Sequence, residues 1–180
     1  GEDVANKLNK FIVLGKPGAG KTTFLRYLTL AMIHKQSKIK TRRLPIFITL
    51  RSWADSKQRL LSYIGEQFDQ RRFEKADQFI SNVLSQGKCL ILFDGLDEVS
   101  QEVKLDELIK QIKKFTNKYP DNQFIMSCRV AAYNYWFEQF TDVEMADFNE
   151  EQIERFIKNW FSKDEANIAK ECFDRLTKSR

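Results

Sequence analysis

Phe11-Ile12-Val13-Leu14-Gly15-Lys16-Pro17-Gly18-Ala19-Gly20-Lys21-Thr22-Thr23 decides how the rest of this chain is read. Four apolar residues in a row running into glycine predict a short buried strand. Gly15 to Thr22 then fits G-x-x-x-x-G-K-[ST], the pattern of a phosphate-binding loop. Beyond it Phe24, Leu25, Leu28 and Met32 recur at helical spacing. Strand, glycine loop and helix in that order are the context this motif requires. The glycines let the backbone wrap tightly and point its N–H groups inward. The helix starting near Lys21 adds the positive end of its dipole. Lys21 offers an ammonium to β- and γ-phosphates, and the Thr22 hydroxyl can ligate magnesium. The nucleotide-contacting set read from the motif is Gly15, Lys16, Pro17, Gly18, Ala19, Gly20, Lys21, Thr22 and Thr23.

Outward from the loop, apolar runs alternate with helical stripes. Pro45 opens a second strand, Ile46 to Leu50. Leu60, Leu61, Ile64 and Phe68 mark one helix face; Ala76, Phe79, Ile80, Val83 and Leu84 mark the next, with Gly87 as its stop. Cys89 to Phe93 is a fully apolar strand ending at Asp94. Leu105, Leu108, Ile109, Ile112 and Phe115 form another stripe, closed by Lys118 and Pro120. Phe124 to Met126 is a fourth strand and Val143 to Met145 a weak fifth. Continuous apolar strands alternating with helices predict a parallel sheet covered on both faces. The fold class expected is therefore α/β: a P-loop NTPase three-layer sandwich with a five-stranded, mainly parallel sheet. Such a sheet carries its functional loops at the carboxyl ends of the strands, where Gly15, Asp94 and Arg129 fall.

The character changes near Phe148. Asn149 and Gln152 form a capping box, and Phe148 and Ile153 are spaced for a hydrophobic staple. Ile153, Phe156, Ile157, Trp160 and Phe161 read as one apolar face. Ser162 to Glu165 is a second capping box, with Ala169, Phe173 and Leu176 behind it. The expected organisation is a nucleotide-binding domain over 1–147 and the beginning of a helical subdomain over 148–180.

The segment after Phe93 has the form of a Walker B element. Asp94, at a strand tip near the phosphate loop, is placed to hold magnesium directly or through water. The next position is Gly95, where many P-loop ATPases carry a glutamate. The carboxylates come later, at Asp97 and Glu98. Either could orient or deprotonate a water, and the sequence does not choose between them. Their alternative role is to supply negative charge to a helix N-terminus.

Composition narrows the function classes. Charged residues make up 31% and the net charge is +5, yet the basic residues are dispersed. Lys40 to Arg43 is the densest cluster and reads as a solvated loop, so nucleic acid is not the expected partner. The longest apolar run is far too short to cross a bilayer, and Gly1-Glu2-Asp3-Val4 carries no signal-peptide pattern. Three cysteines, Cys89, Cys128 and Cys172, fit no metal motif and suggest a reducing, cytoplasmic setting. His34, the one histidine, reads as a cation at a helix C-terminus. Trp53, Trp136 and Trp160 read as core or subdomain packing; the group Tyr133, Tyr135, Trp136, Phe137 and Phe140 could form an interaction surface, with helix packing the safer reading.

Leu92-Phe93-Asp94-Gly95-Leu96-Asp97-Glu98-Val99, downstream of Gly15 to Thr23, resembles the signature of NACHT domains, members of the STAND class of signalling P-loop NTPases. In that family a small residue follows the magnesium aspartate and acidic residues come slightly later, as Gly95, Asp97 and Glu98 do here. Ser127-Cys128-Arg129 resembles the family's sensor 1, whose arginine reads the γ-phosphate. A guanidinium at a strand end beside the phosphate loop can grip a terminal phosphate; the same arginine could instead pair with a surface carboxylate. Phe148 to Phe161 resembles the helix opening the family's helical subdomain. The wording Cys128 to Tyr133 is closer to bacterial members than to animal ones.

The resemblance implies a signalling switch that binds ATP or ADP with magnesium and hydrolyses ATP slowly, with Lys21, Asp97, Glu98 and Arg129 as its catalytic set and Thr22 and Asp94 on the metal. It also implies effector and sensor domains in the same protein outside this segment, and a homo-oligomer in the ATP state. Two competing readings belong to other classes. One is an AAA+-like motor acting on nucleic acid or protein. The other is a small-molecule P-loop kinase, for which Arg71 and Arg72 would have to furnish a lid.

Overall fold

A computed structural model describes residues 2–34, 39, 42–69, 76–99, 102–133, 137–161 and 166–178. Five strands form one sheet in the order β2-β3-β4-β1-β5. They are β1 (Lys10–Gly15), β2 (Leu44–Thr49), β3 (Cys89–Asp94), β4 (Gln123–Arg129) and β5 (Thr141–Glu144). Every neighbouring pair is parallel. Pro45 lies on β2, an edge strand, where a missing N–H is tolerated.

Strand period 2 sorts the apolar residues onto two faces. Ile12, Ile91, Phe93, Phe124 and Met126 face one core. That core is covered by α3 (Leu50–Ser56), α4 (Leu60–Asp69), α5 (Ala76–Ser85) and α6 (Glu102–Lys118), through Trp53, Ile64, Ile80 and Ile112 among others. Phe11, Val13, Leu90, Leu92 and Ile125 face the opposite core, shared with α1 (Glu2–Lys7) and α2 (Lys21–Ile33) through Ala5, Leu25 and Leu28. The result is the expected three-layer α/β sandwich.

The chain divides into two compact units, Gly1–Met145 and Ala146–Arg180. In the second, α7 (Glu150–Trp160) precedes α8 (Ala166–Lys178). Asn149 caps α7: its side-chain oxygen accepts from the Gln152 N–H at 2.9 Å, and Gln152 returns the bond to the Asn149 N–H at 3.0 Å.

Several local expectations are corrected. Leu50 belongs to α3, not to the second strand; β2 ends at Thr49. The helices α1 and α3 are too short for a periodic stripe to announce them. Ile153 and Ile157 are buried, but Phe156 and Trp160 are 53% and 72% exposed, so only one side of the apolar face of α7 is covered. At about 100° per residue the four positions share one arc of about 100°, with 156 and 160 toward one side of it and 153 and 157 toward the other. The ring of Phe148, half-exposed, lies 6.5 Å from that of Phe156, which stacks on Trp160 at 5.8 Å. Trp160 therefore packs on Phe156 but lies outside any core, whereas Trp53 is buried and donates its indole N–H to the Gln58 carbonyl. Leu176 is also exposed.

Phe137 is buried, and Tyr133 and Phe140 pack beside the same core; Tyr133 directly follows a 3-10 turn, Val130–Ala132, and none of the three lies in a helix. Arg43 is no solvated loop cation. Its guanidinium donates to the carbonyls of Gly87 and Asp121 at 2.7 and 2.8 Å. Residues 40, 41, 71, 72, 135, 136 and the capping box 162–165 lie outside the described residues.

Candidate functional site

The site is assembled at the carboxyl edge of the sheet from β1, β3 and β4. Because β4 lies between β1 and β3, the phosphate loop, the acidic strand tip and Arg129 converge. The register pairs Gly15 with Arg129. Pro17, Gly18, Gly20, Lys21, Thr22, Thr23, Gly95, Asp97, Glu98, Ser127 and Arg129 line one cleft of about 290 Å³.

The loop geometry follows from its glycines. Gly18 and Gly20 adopt φ of 78° and 86°, left-handed values that disfavour a side chain. α2 begins directly after Gly20 with no side-chain cap, so its first N–H groups keep their hydrogen-bonding capacity for an anion. The Lys21 ammonium donates to the carbonyls of Gly15 and Lys16, both at 2.9 Å, holding the loop closed around it. Met145 lies beside the loop: its N–H donates to the Leu14 carbonyl at 2.8 Å.

Asp94 is buried and organises the centre. Its Oδ1 accepts from the Thr22 hydroxyl at 3.0 Å and from the Ser127 hydroxyl at 2.7 Å. Ser127, itself buried, accepts in turn from the Gly95 N–H at 2.9 Å. One serine thus ties the end of β3 to β4. Sequence reading met Ser127 only as a neighbour of Arg129. The available signal was its place on a strand adjacent to Asp94, which needs the strand order.

After Asp94 the chain turns sharply through Gly95, whose φ is 79°. A 3-10 turn, Leu96–Glu98, follows. It sends the two carboxylates in different directions. The Asp97 side chain is 6% exposed: Oδ1 accepts from the Arg129 N–H at 2.9 Å, and Oδ2 pairs with Arg129 Nε at 2.9 Å. Glu98 is exposed and lines the cleft. The Arg129 side chain is half-exposed into the same cleft, so the arginine both reaches the site and has the carboxylate partner that sequence left as its alternative.

Cys128, beneath these groups, is fully buried, and burial first, then the nearby Asp97 charge, pushes its thiol up to about 12. Cys89, at the start of β3, is pushed up to about 12 by burial as well. Both behave as small apolar side chains. His34 caps the carboxyl end of α2, away from the loop, its N–H donating to the Leu30 carbonyl. Among the described residues no group of His, Cys, Asp and Glu could by itself cage a metal ion, and no helix is long and apolar enough to cross a membrane.

The donor set nevertheless suits magnesium held jointly with a ligand. Ligands at about 2.1 Å in an octahedron place adjacent oxygens about 3 Å apart. Thr22 Oγ1 and Asp94 Oδ1 lie 3.0 Å apart.

The family profile described as the NACHT domain matches residues 9–164. An uncharacterized WD repeat-containing protein of Nostoc sp. is 24% identical over 172 residues; the match covers 81% of this chain and 11% of that protein. Among solved structures, AMPPCP-bound DnaA from Aquifex aeolicus is similar with a TM-score of 0.54 at 15% identity, over 93% of this chain and 51% of that one. The Signal Transduction ATPase with Numerous Domains protein with a tetratricopeptide repeat sensor from Pyrococcus horikoshii gives 0.52 at 17% identity, over 98% of this chain and 26% of that one. These structures bear on the fold, that of P-loop NTPases. The chain spans about a tenth of the curated relative it matches.

Proposed function

This chain belongs to the NACHT domain family, and from that premise we propose that it is a nucleotide-dependent signalling switch. In this reading it binds ATP or ADP with magnesium, hydrolyses ATP slowly and works as part of a larger multidomain protein. The observation that carries the proposal is the meeting of Thr22 and Asp94. Two residues 72 positions apart, one from each nucleotide motif, share a 3.0 Å contact at the mouth of the phosphate loop.

Each residue then has a physical task. The N–H groups at the start of α2 face the phosphates. Lys21 exchanges two carbonyl acceptors for phosphate oxygens, a stronger charge-assisted interaction. Thr22 and Asp94 hold magnesium, which neutralises charge on the β- and γ-phosphates. Gly15 through Thr23 form the nucleotide cradle. Glu98 is our choice of catalytic carboxylate, because it is exposed to the cleft while both oxygens of Asp97 are engaged by Arg129. The absence of a carboxylate at Gly95 agrees with slow turnover. Arg129 reads the γ-phosphate, and the switch follows, because a ligand shifts a conformational equilibrium only through its differential affinity for the two states.

We further propose that residues 1–147 are the nucleotide-binding domain and 148–180 the first part of a helical subdomain. The ATP state favours self-association, and effector and sensor domains lie elsewhere in the protein. The repeat regions in the names of the Nostoc relative and of the Pyrococcus horikoshii structure support a repeat-built sensor. A cytoplasmic location agrees with the buried, protonated Cys89 and Cys128.

Binding of fluorescent ATP with and without EDTA tests the reading. Lys21→Ala should weaken affinity by about a hundredfold, the scale of two charge-assisted bonds. Unchanged binding in that variant refutes the assignment. Released free phosphate, rather than a phosphorylated acceptor, separates the switch from a kinase.

A further inference from the structure

We infer that Asp97 is a positioning residue for Arg129 rather than a catalytic carboxylate, and that the property it governs is discrimination between nucleoside triphosphate and diphosphate. The inference rests on the nucleotide-switch reading above and deepens it.

The geometry is a two-point clamp. Asp97 accepts from Arg129 once through the backbone N–H and once through the side-chain Nε, each at 2.9 Å, with one carboxylate oxygen for each bond. A single contact would leave the arginine free to rotate about its side chain. Two contacts, one at the backbone and one near the guanidinium, fix both ends of the flexible stem. Binding at Nε also leaves the two terminal nitrogens and their four N–H groups for a phosphate. Arg129 lines the cleft with Lys21 and Glu98, and its strand position is level with Gly15, where the phosphate loop begins.

The same facts speak against Asp97 as a base. Its side chain is 6% exposed and it faces the end of β4, whereas Glu98, one residue on, is exposed to the cleft. The 3-10 turn accounts for this division. Successive residues there point about 120° apart, so adjacent carboxylates cannot share one direction. The turn is entered through Gly95 with φ 79°; a Cβ at Gly95 would lie 2.9 Å from Glu98 Cδ. The glycine thereby lets Glu98 stay in the cleft while Asp97 is turned to the arginine.

The test compares magnesium-dependent Kd values for ADP and a non-hydrolysable ATP analogue, together with phosphate release. It uses wild type, Arg129→Ala, Asp97→Ala, the double variant and Glu98→Gln. Asp97→Ala should lower the preference for the ATP analogue by about tenfold, the scale of one charge-assisted hydrogen bond. Arg129→Ala should lower it at least as far, and the double variant no further than Arg129→Ala. ADP affinity stays near wild type throughout, which also reports that each variant is folded. Glu98→Gln should keep the preference and lose phosphate release.

Asp97→Asn is the second variant if the alanine form does not fold. It keeps the volume and an acceptor for the Arg129 N–H but loses the ion pair, and should show an intermediate preference. An Asp97 variant that keeps the full wild-type preference while losing phosphate release overturns the inference. So does a double variant that falls well below Arg129→Ala. If wild type does not distinguish ATP analogue from ADP, the switch reading itself fails, and that is visible before any Asp97 variant is compared.

Discussion

Ser127→Ala offers a sharp test of how the site is held together. The Ser127 hydroxyl is buried, donates to Asp94 at 2.7 Å and accepts from the Gly95 N–H at 2.9 Å. Alanine removes a hydrogen bond to a charged group, worth about 1.5–3 kcal/mol, and leaves a buried N–H without its partner, at about 1–3 kcal/mol. Asp94 retains the Thr22 bond, so these terms do not add in full, and about 3 kcal/mol is expected. For a chain of this size that corresponds to a Tm lower by about 6–12 °C. Urea unfolding without nucleotide measures it. Thr22→Val is the control: Thr22 is only partly buried and Asp94 keeps its Ser127 partner, so about 1 kcal/mol or less is expected. Equal destabilisation by the two variants, or a loss below about 0.5 kcal/mol in Ser127→Ala, would refute the claim that Ser127 is the tether between β3 and β4.

Two further outcomes follow from named positions. Gly95→Ala forces a side chain onto φ 79° and against the Glu98 carboxyl; nucleotide Kd should stay within about threefold while phosphate release falls about tenfold or more. Release at the wild-type rate counts against Glu98 as the catalytic carboxylate. Cys89 and Cys128 stay protonated in the folded chain to about 12, against an ordinary value of 9.0. The unfolded chain therefore loses these protons first, and stability falls as pH rises above about 9. At pH 10 each thiol should cost the folded state about 1.4 kcal/mol. The double variant Cys89→Ala/Cys128→Ala should show a shallower decline in unfolding free energy between pH 8 and pH 10; parallel declines contradict the assignment.

Much of the fold was legible before any coordinates because it rests on local signals. Phe11–Val13 and Cys89–Phe93 are buried on both faces, so they read as unbroken apolar runs. The phosphate loop is legible for the same reason: its glycines, Lys21 and Thr22 act within one contiguous turn whose geometry is set by neighbours in sequence. Short elements escaped. α3 has seven residues, too few for a periodic stripe, and its first residue Leu50 was read as the end of a strand. In α7 the alignment of Phe156 and Trp160 with Ile153 and Ile157 overestimated how wide a stripe is covered.

By itself, then, the sequence determined the phosphate loop, the alternating α/β layers and the identity of the acidic and basic residues at the strand ends. Those features depend on spacings of a few residues, within which backbone geometry is fixed. Tertiary structure alone decided how the ends are wired. It placed β4 between β1 and β3, so that Ser127 reaches Asp94 across 33 positions and Asp97 reaches Arg129 across 32. It also separated the roles open to Asp97 and Glu98. Adjacent in sequence and alike in chemistry, they diverge because a 3-10 turn entered through Gly95 buries one against an arginine in the cleft wall and leaves the other exposed in the cleft. Such long-range pairings depend on strand order and register, which a local pattern of residues does not encode.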